Sequence, residues 1–240
     1  MLTKINLILI PFLYAHLVIS SPVPEGQENP ELGPYFEGDI ILTPNQLGGK
    51  PNVNSRWPSR TLVYSIGPGF NEKEKKFIQD AIKEIQSKTC IRFRQGSTGD
   101  HVVYTKSFSG CSSSIGRVGG RQVINLASGC FNVGPGTVVH ETFHALGFYH
   151  EQTRNDRDNY VVIHADRIEP SRLGNFRKET SSLTFGVPYD YGSIMHYPKV
   201  AFPKQPGMVT VETKSKGANI GQRRAMSPLD IMKLNRMYGC

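Results

Sequence analysis

The stretch His140-Glu-Thr-Phe-His-Ala-Leu-Gly-Phe-Tyr-His150 constrains this chain more than any other part of it. On a helix, residues four apart lie on one face, one turn above the other. His140 and His144 can therefore aim two imidazoles at one point. Gly147 lets the chain leave the helix, because glycine tolerates positive φ at little cost. The turn back brings a third nitrogen from His150. Three protein ligands leave a zinc ion an open position, the mark of a catalytic site as against a closed structural one. Glu141, next to a ligand, can reach a water in that position and take its proton. Solvated helix histidines would account for one of these residues, not for three at this spacing. A structural zinc would want a fourth ligand, and no cysteine is nearby. One zinc per chain is the expectation.

Hydrophobic periodicity places this motif in a mixed α/β half. Thr61 to Ile66 alternates like a strand, and Ile91 to Arg94, His101 to Thr105 and Arg121 to Leu126 are also expected strands. Asn71 can cap a helix running to about Lys88, with Phe77, Ile78, Ala81, Ile82 and Ile85 on one face. A second helix is expected over Thr137 to about Leu146. After Gly147 the pattern is loop-rich, with a short strand at Tyr160 to Ile163. Ser227, Pro228 and Asp230 then open a last helix that ends near Tyr238.

The N-terminus suggests the compartment. Lys4 precedes an apolar run, Ile5 to Leu13, and small residues follow at Val18 and Ser20, which predicts a signal peptide over 1–20. The run is short for a membrane span and is broken by Pro11 and His16. In an oxidising space the four cysteines would form two disulfides, with three pairings open. Between Ser21 and Leu47 stand five acids, Glu25, Glu28, Glu31, Glu37 and Asp39, and no Lys or Arg. The net charge of the chain is +8, so the body behind this acidic leader is more basic than the whole. No nucleic-acid motif accompanies that charge, and acidic protein partners suit it better. The leader, rich in Pro, Gly, Glu and Asn, is expected to be extended and without packed elements.

Over roughly Arg56 to Cys240 the sequence resembles the astacin metalloendopeptidases of the metzincin clan. The likeness runs from the zinc motif into His150-Glu-Gln-Thr-Arg-Asn-Asp-Arg-Asp-Asn-Tyr160 and resumes at Ser193-Ile-Met-His-Tyr197. Cys90, Cys111, Cys130 and Cys240 stand at astacin-like spacings. The resemblance implies an α+β, two-lobed fold. Its N-terminal lobe, about 51–150, would hold a twisted mixed sheet and two long helices; the loop-rich C-terminal lobe, about 151–240, would carry a terminal helix. It implies a secreted endopeptidase made as a proenzyme, with disulfides Cys90–Cys240 and Cys111–Cys130. Met195 would support the ligands from beneath. Tyr197 would be a fifth ligand at rest and an oxyanion donor during catalysis. Glu151 would pair with the amino terminus of the mature enzyme, whereas Arg154, Asp156, Arg157 and Asp158 form a charged turn of structural purpose.

The resemblance also gives the leader a task. Asp39, in Phe36-Glu-Gly-Asp39, would ligate the zinc of the proenzyme and displace the catalytic water. The propeptide is expected over 21–50, its end between 47 and 55, and the catalytic domain over 51–240. An activating protease is implied, yet the chain lacks the basic pair that precedes the mature start in many relatives. Lys50 precedes Pro51, and the family start would fall near Gly48. The chain stops at Cys240 without the interaction modules of many relatives, and a monomer is expected. Arg223, with Arg224 as alternate, lies where relatives line the pocket for the residue after the scissile bond, and could hold an acidic side chain. A silent binding protein on this fold is the alternative from another class; the presence of Glu141 and Tyr197 speaks against it. A zinc hydrolase acting on non-peptide amides would suit the site chemistry but not the resemblance.

Overall fold

Alternating or β-branched runs that can bury one face supply most strands of a six-stranded sheet. Its strands are β1 (Ile40–Ile41), β2 (Thr61–Ile66), β3 (Arg92–Gln95), β4 (His101–Thr105), β5 (Cys111–Ser114) and β6 (Arg121–Leu126), in the order β1-β5-β6-β4-β2-β3. All neighbours are parallel except β5 and β6, which pair antiparallel with Cys111 opposite Leu126. Among the described residues the sheet is joined by helices α1 (Glu72–Lys88), α2 (Gly136–Leu146) and α3 (Pro228–Tyr238), a two-stranded antiparallel ribbon of β7 (Val161–Ile163) and β8 (Val211–Thr213), and several short 3-10 turns. This computed structural model describes residues 29, 31–43, 46, 55–179 and 184–240. The expected signal segment and the expected cleavage region around Gly48 lie outside them. No helix among the described residues is long and apolar enough to cross a membrane.

Helix α1 starts where Asn71 Oδ1 accepts from the Glu74 amide at 2.9 Å and Glu74 Oε2 accepts from the Asn71 amide at 2.9 Å. This reciprocal cap satisfies two donors that have no partner within the helix. Ile78, Ala81, Ile82 and Ile85 face inward, each isoleucine contributing about 1.5–3 kcal/mol by burial. The main cluster joins them to Leu62, Val102, Tyr104, Ile124, Val139 and Phe143, and also to Leu234 and Met237 of α3. The terminal helix thus packs on the core beneath α2. Cys90–Cys240 ties the exit of α1 to the end of α3, and Cys111–Cys130 ties β5 to the turn before α2. A second cluster gathers Val161, Ile168, Phe176, Tyr189, Tyr197, Phe202 and Val211 from the loop-rich half.

The leader is more ordered than its composition suggests. Ile40 and Ile41 pair in parallel with Ser113 and Ser114, so the leader forms the edge strand β1. Ile40 is buried with Ile115 and Tyr149, and Leu32 packs on the second cluster. Expected to be without packed elements, this segment instead gains order from a groove formed by distant residues. Strand β5 was also not anticipated: Cys111-Ser-Ser-Ser114 has no apolar alternation, and its small side chains are all buried.

Candidate metal centre

The His-bearing helix α2 is buried along its whole length, so its end cannot rely on water. The last four carbonyls of a helix need outside partners, and here each has one. Phe143 O accepts from the Phe148 amide at 3.0 Å, and His144 O from the Gly147 and Gly116 amides, both at 2.8 Å. Ala145 O accepts from Trp57 Nε1 at 2.8 Å, and Leu146 O from the Tyr238 hydroxyl at 3.0 Å. Gly147 makes the reversal possible at φ 110°, and a Cβ there would lie 2.7 Å from Met237 Cε. The chain then returns with His150 against the two helical histidines.

Hydrogen bonds orient all three rings. His140 Nδ1 is 2.8 Å from Ile194 O, and His144 Nδ1 is 2.6 Å from Phe148 O. A carbonyl only accepts, so both Nδ1 atoms carry a proton, and each Nε2 is the ring atom left to serve as a ligand. Those two Nε2 atoms lie 3.2 Å apart. His150 Nδ1 faces Glu37 Oε2 at 2.8 Å, which turns its Nε2 inward as well. Asp39 completes the set, its carboxylate 3.1 Å from His140 Nε2, 3.3 Å from His144 Nε2 and 3.4 Å from His150 Nε2. Ring nitrogens and a carboxylate converging in this way, all buried, call for a cation among them, a proton or a metal ion. Donors about 2.0–2.1 Å from a tetrahedral zinc lie about 3.3 Å apart, and imidazole with carboxylate is a zinc donor set.

The charges agree. Burial opposes ionisation of Asp39, but the histidines hold it well below the usual carboxylate range. Burial also opposes a charge on His150, yet Asp39 and Glu37 push that ring up to about 9. The cluster therefore pulls a positive charge into itself, and a dication meets that demand. His140, by contrast, falls to about 4 through burial, with Arg223 adding to it, as suits a neutral ligand. Glu141 is fully buried beside its ligand neighbour, and neither carboxylate oxygen has a hydrogen-bond partner among the described residues. Burial, then Asp39 and Glu31, hold it well above the normal range.

Comparison with known proteins gives the same answer. The family model for astacin, a peptidase family, matches residues 49–239. The chain belongs to the astacin family. It is 39% identical over 209 residues to zinc metalloproteinase nas-7 of Caenorhabditis elegans, covering 85% of this chain and 54% of that relative. It is likewise 39% identical to the mouse meprin A subunit beta, across 85% of this chain and 29% of meprin. It thus spans about half or less of these two relatives. The solved structure of high choriolytic enzyme 1, a hatching enzyme zinc-protease from medaka, superposes with a TM-score of 0.70 at 36% identity. That match covers 84% of this chain and 99% of the other.

The astacin-type turn Ser193–Tyr197 underlies the ligands. Ile194 O holds His140, and Met195 O accepts from the Glu151 amide at 2.9 Å. Asp230 of α3 anchors the turn, accepting from Ser193 Oγ at 2.6 Å and from the Ile194 amide at 2.9 Å. The Tyr197 ring stands 4.6 Å from that of His150, and its hydroxyl donates to the peptide carbonyl of Glu37. The structure thus shows Tyr197 as a donor to a carbonyl beside the metal centre. Glu151 does not face solvent: its carboxylate pairs with Arg154 and Lys233. The mature start that the resemblance would bring to it lies outside the described residues.

Arg223 and Arg224 separate clearly. Arg224 is exposed, whereas Arg223 is buried with its Nε 2.6 Å from Glu31 Oε2. Its Nη1 donates to His196 O at 3.0 Å and to Gln222 O at 2.9 Å. Sequence reasoning passed over Glu31, Glu37 and Lys233. A Lys on the face of α3 that also carries Asp230, Leu234 and Met237 was the signal for the last of these. The carboxylates were visible only as leader charge.

Proposed function

We propose that this chain is a secreted zinc metalloendopeptidase, made as a latent proenzyme that another protease activates. One observation carries the reading: ring nitrogens of three histidines converge with a carboxylate, beside a buried glutamate that has no hydrogen-bond partner among the described residues. His140, His144 and His150 would hold one zinc, with Asp39 added in the proenzyme. Zinc, when bound, supplies a Lewis acid that polarises a carbonyl and lowers the pKa of water to roughly 7.

The chain's own residues do the rest. Glu141 takes the proton of the attacking water and returns it to the leaving amine. Departure of the leader removes Asp39 and Glu31, two of the charges that oppose ionisation of Glu141. Tyr197 exchanges the carbonyl of Glu37 for that of the substrate and donates to its oxygen as charge develops; at rest it would be a further zinc ligand. Met195 and its turn keep His140 in register. Strand β5, vacated by β1, offers an open edge to an extended substrate. Arg223, released from Glu31, would receive an acidic side chain. Secretion rests on the predicted signal and the two disulfides.

The test compares full-length and leader-free protein for bound zinc and for cleavage of a mixed protein substrate, with sequencing of the fragments. Leader-free protein that binds zinc yet cuts no internal peptide bond would refute the reading.

A further inference from the structure

The Tyr197 hydroxyl donates to the Glu37 carbonyl, and in the protease reading it later donates to the carbonyl of the substrate. Such a donor helps only when it lies about 2.7–3.1 Å from the developing oxyanion. The hydroxyl sits at the far end of its side chain, so a small tilt of the backbone is magnified there. What holds the Tyr197 backbone therefore bears on catalysis. The turn Ser193–Tyr197 belongs to no helix or strand, so no ladder of main-chain bonds fixes it.

Side chains fix it instead, one on each side of the residue. The Tyr197 amide donates to Gln152 Oε1 at 3.0 Å, and the Tyr197 carbonyl lies 2.9 Å from His196 Nδ1. Gln152 and His196 are both fully buried. A carbonyl only accepts, so His196 Nδ1 carries a proton. The other ring nitrogen, Nε2, meets the Tyr189 hydroxyl at 2.7 Å. Tyr189 is itself braced. Its ring stacks on Tyr160 with centroids 4.5 Å apart and planes 7° apart, and the Arg154 guanidinium stands 5.4 Å from its centre. The His196 carbonyl accepts from Arg223 Nη1 at 3.0 Å. The side chain of Tyr197 is held differently. Among the described residues its one side-chain hydrogen bond is to Glu37, which belongs to the leader. Its ring otherwise meets other rings, those of His150, Phe176 and Phe202.

We propose that His196 is a positioning residue for Tyr197: braced by Tyr189, it pins the Tyr197 carbonyl, so that the hydroxyl passes from the leader's carbonyl to the substrate's about a fixed pivot. His196 acts through Tyr197 and not on the substrate. The inference deepens the protease reading and rests on it.

The test is a double-mutant cycle on the full-length, zinc-loaded chain, activated by proteolytic removal of the leader. Tyr197→Phe removes the donor and should lower kcat by about 10²–10³-fold. Tyr189→Phe removes only the hydroxyl that braces His196. It should lower kcat by about 10- to 100-fold and leave KM and zinc content near wild type. In the Tyr197→Phe background the same change should cost less than about two-fold, because the pivot then has no donor to aim. His196→Asn places an amide nitrogen near the position of Nδ1 and should stay within about 10-fold of wild type. His196→Gln places it near Nε2 and should fall about as far as Tyr197→Phe. Equal losses from Tyr189→Phe in both backgrounds, or none in either, would overturn the proposal. Should the His196 variants not fold, the tyrosine cycle decides alone. Activated wild-type protein that binds zinc and cuts nothing would refute the protease reading, and this inference with it.

Discussion

Glu31 and Arg223 are 192 residues apart in sequence and 2.6 Å apart in space, carboxylate to guanidinium, both buried. The leader thus holds the body by a charged contact beyond those that Asp39 and Glu37 make with the histidines. Breaking one side of a buried, hydrogen-bonded charge pair costs at least about 2 kcal/mol, or ~30-fold in a docking equilibrium. Glu31→Gln should therefore raise the residual activity of uncut proenzyme by about that factor. Cut enzyme, which lacks residue 31, serves as the internal control. Uncut Glu31→Gln protein as silent as wild type would show that the pair adds nothing to latency.

Once freed, the same guanidinium should choose substrates. A cleavage-site profile of the cut enzyme on a peptide library is expected to be enriched in Asp or Glu just after the scissile bond. Arg223→Ala should remove that enrichment, costing roughly 1.5–3 kcal/mol, about 10- to 100-fold, on acidic substrates. Arg224→Ala, at an exposed position, should leave it unchanged. An unbiased wild-type profile would end this assignment.

Asp39 faces all three histidines, so its loss strikes latency directly. Asp39→Ala proenzyme should cleave itself or a fluorogenic peptide before any activator is added. Its zinc should remain bound, because the three imidazoles stay. Wild-type silence in this variant would mean that steric blockade by β1, not the carboxylate, keeps the enzyme latent.

Ligand and base should separate cleanly. His144→Ala should lose zinc on dialysis. Glu141→Ala should retain about one zinc per chain and lose turnover by roughly 10²–10⁴-fold, the usual share of a general base. Zinc content by atomic absorption and peptide cleavage by the same samples check both. Near-normal turnover in Glu141→Ala would sink the proposed role of Glu141.

The metal centre was legible because its parts are local. Three histidines and a glutamate within eleven residues need only helical periodicity and one glycine to meet. The caps at Asn71 and Ser227 were legible for the same reason, since each partner lies three residues on. What the sequence hid is long-range. Glu151 and Lys233 are 82 residues apart, and each alone resembles a solvated surface charge. Ser112 and Ser113 carry no apolar signal, yet they become buried strand residues because β6 pairs with them on one side and the leader on the other. Charge and polarity report burial poorly when the burying partner is remote.

Gly38 supplies the last prediction. It stands between Glu37, which holds His150, and Asp39, which faces the zinc ligands, and its φ is 89°. A Cβ there would lie 2.9 Å from Glu31 O, a backbone atom, and 3.0 Å from Phe202 Cζ. An L side chain in this conformation costs about 1–3 kcal/mol before any clash is counted. Gly38→Ala should thus shift the leader out of the cleft by about 10- to 100-fold, loosening Glu31, Glu37 and Asp39 together. Uncut Gly38→Ala protein should leak at least as much as Asp39→Ala, while the cut enzyme, having lost residue 38, should match wild type in kcat and KM. Hydrogen exchange on the uncut variant should show the β5 amides that face β1 exposed. A tight, silent Gly38→Ala proenzyme with those amides still protected would mean that the leader turn tolerates a side chain, and that glycine is not what shapes the latch.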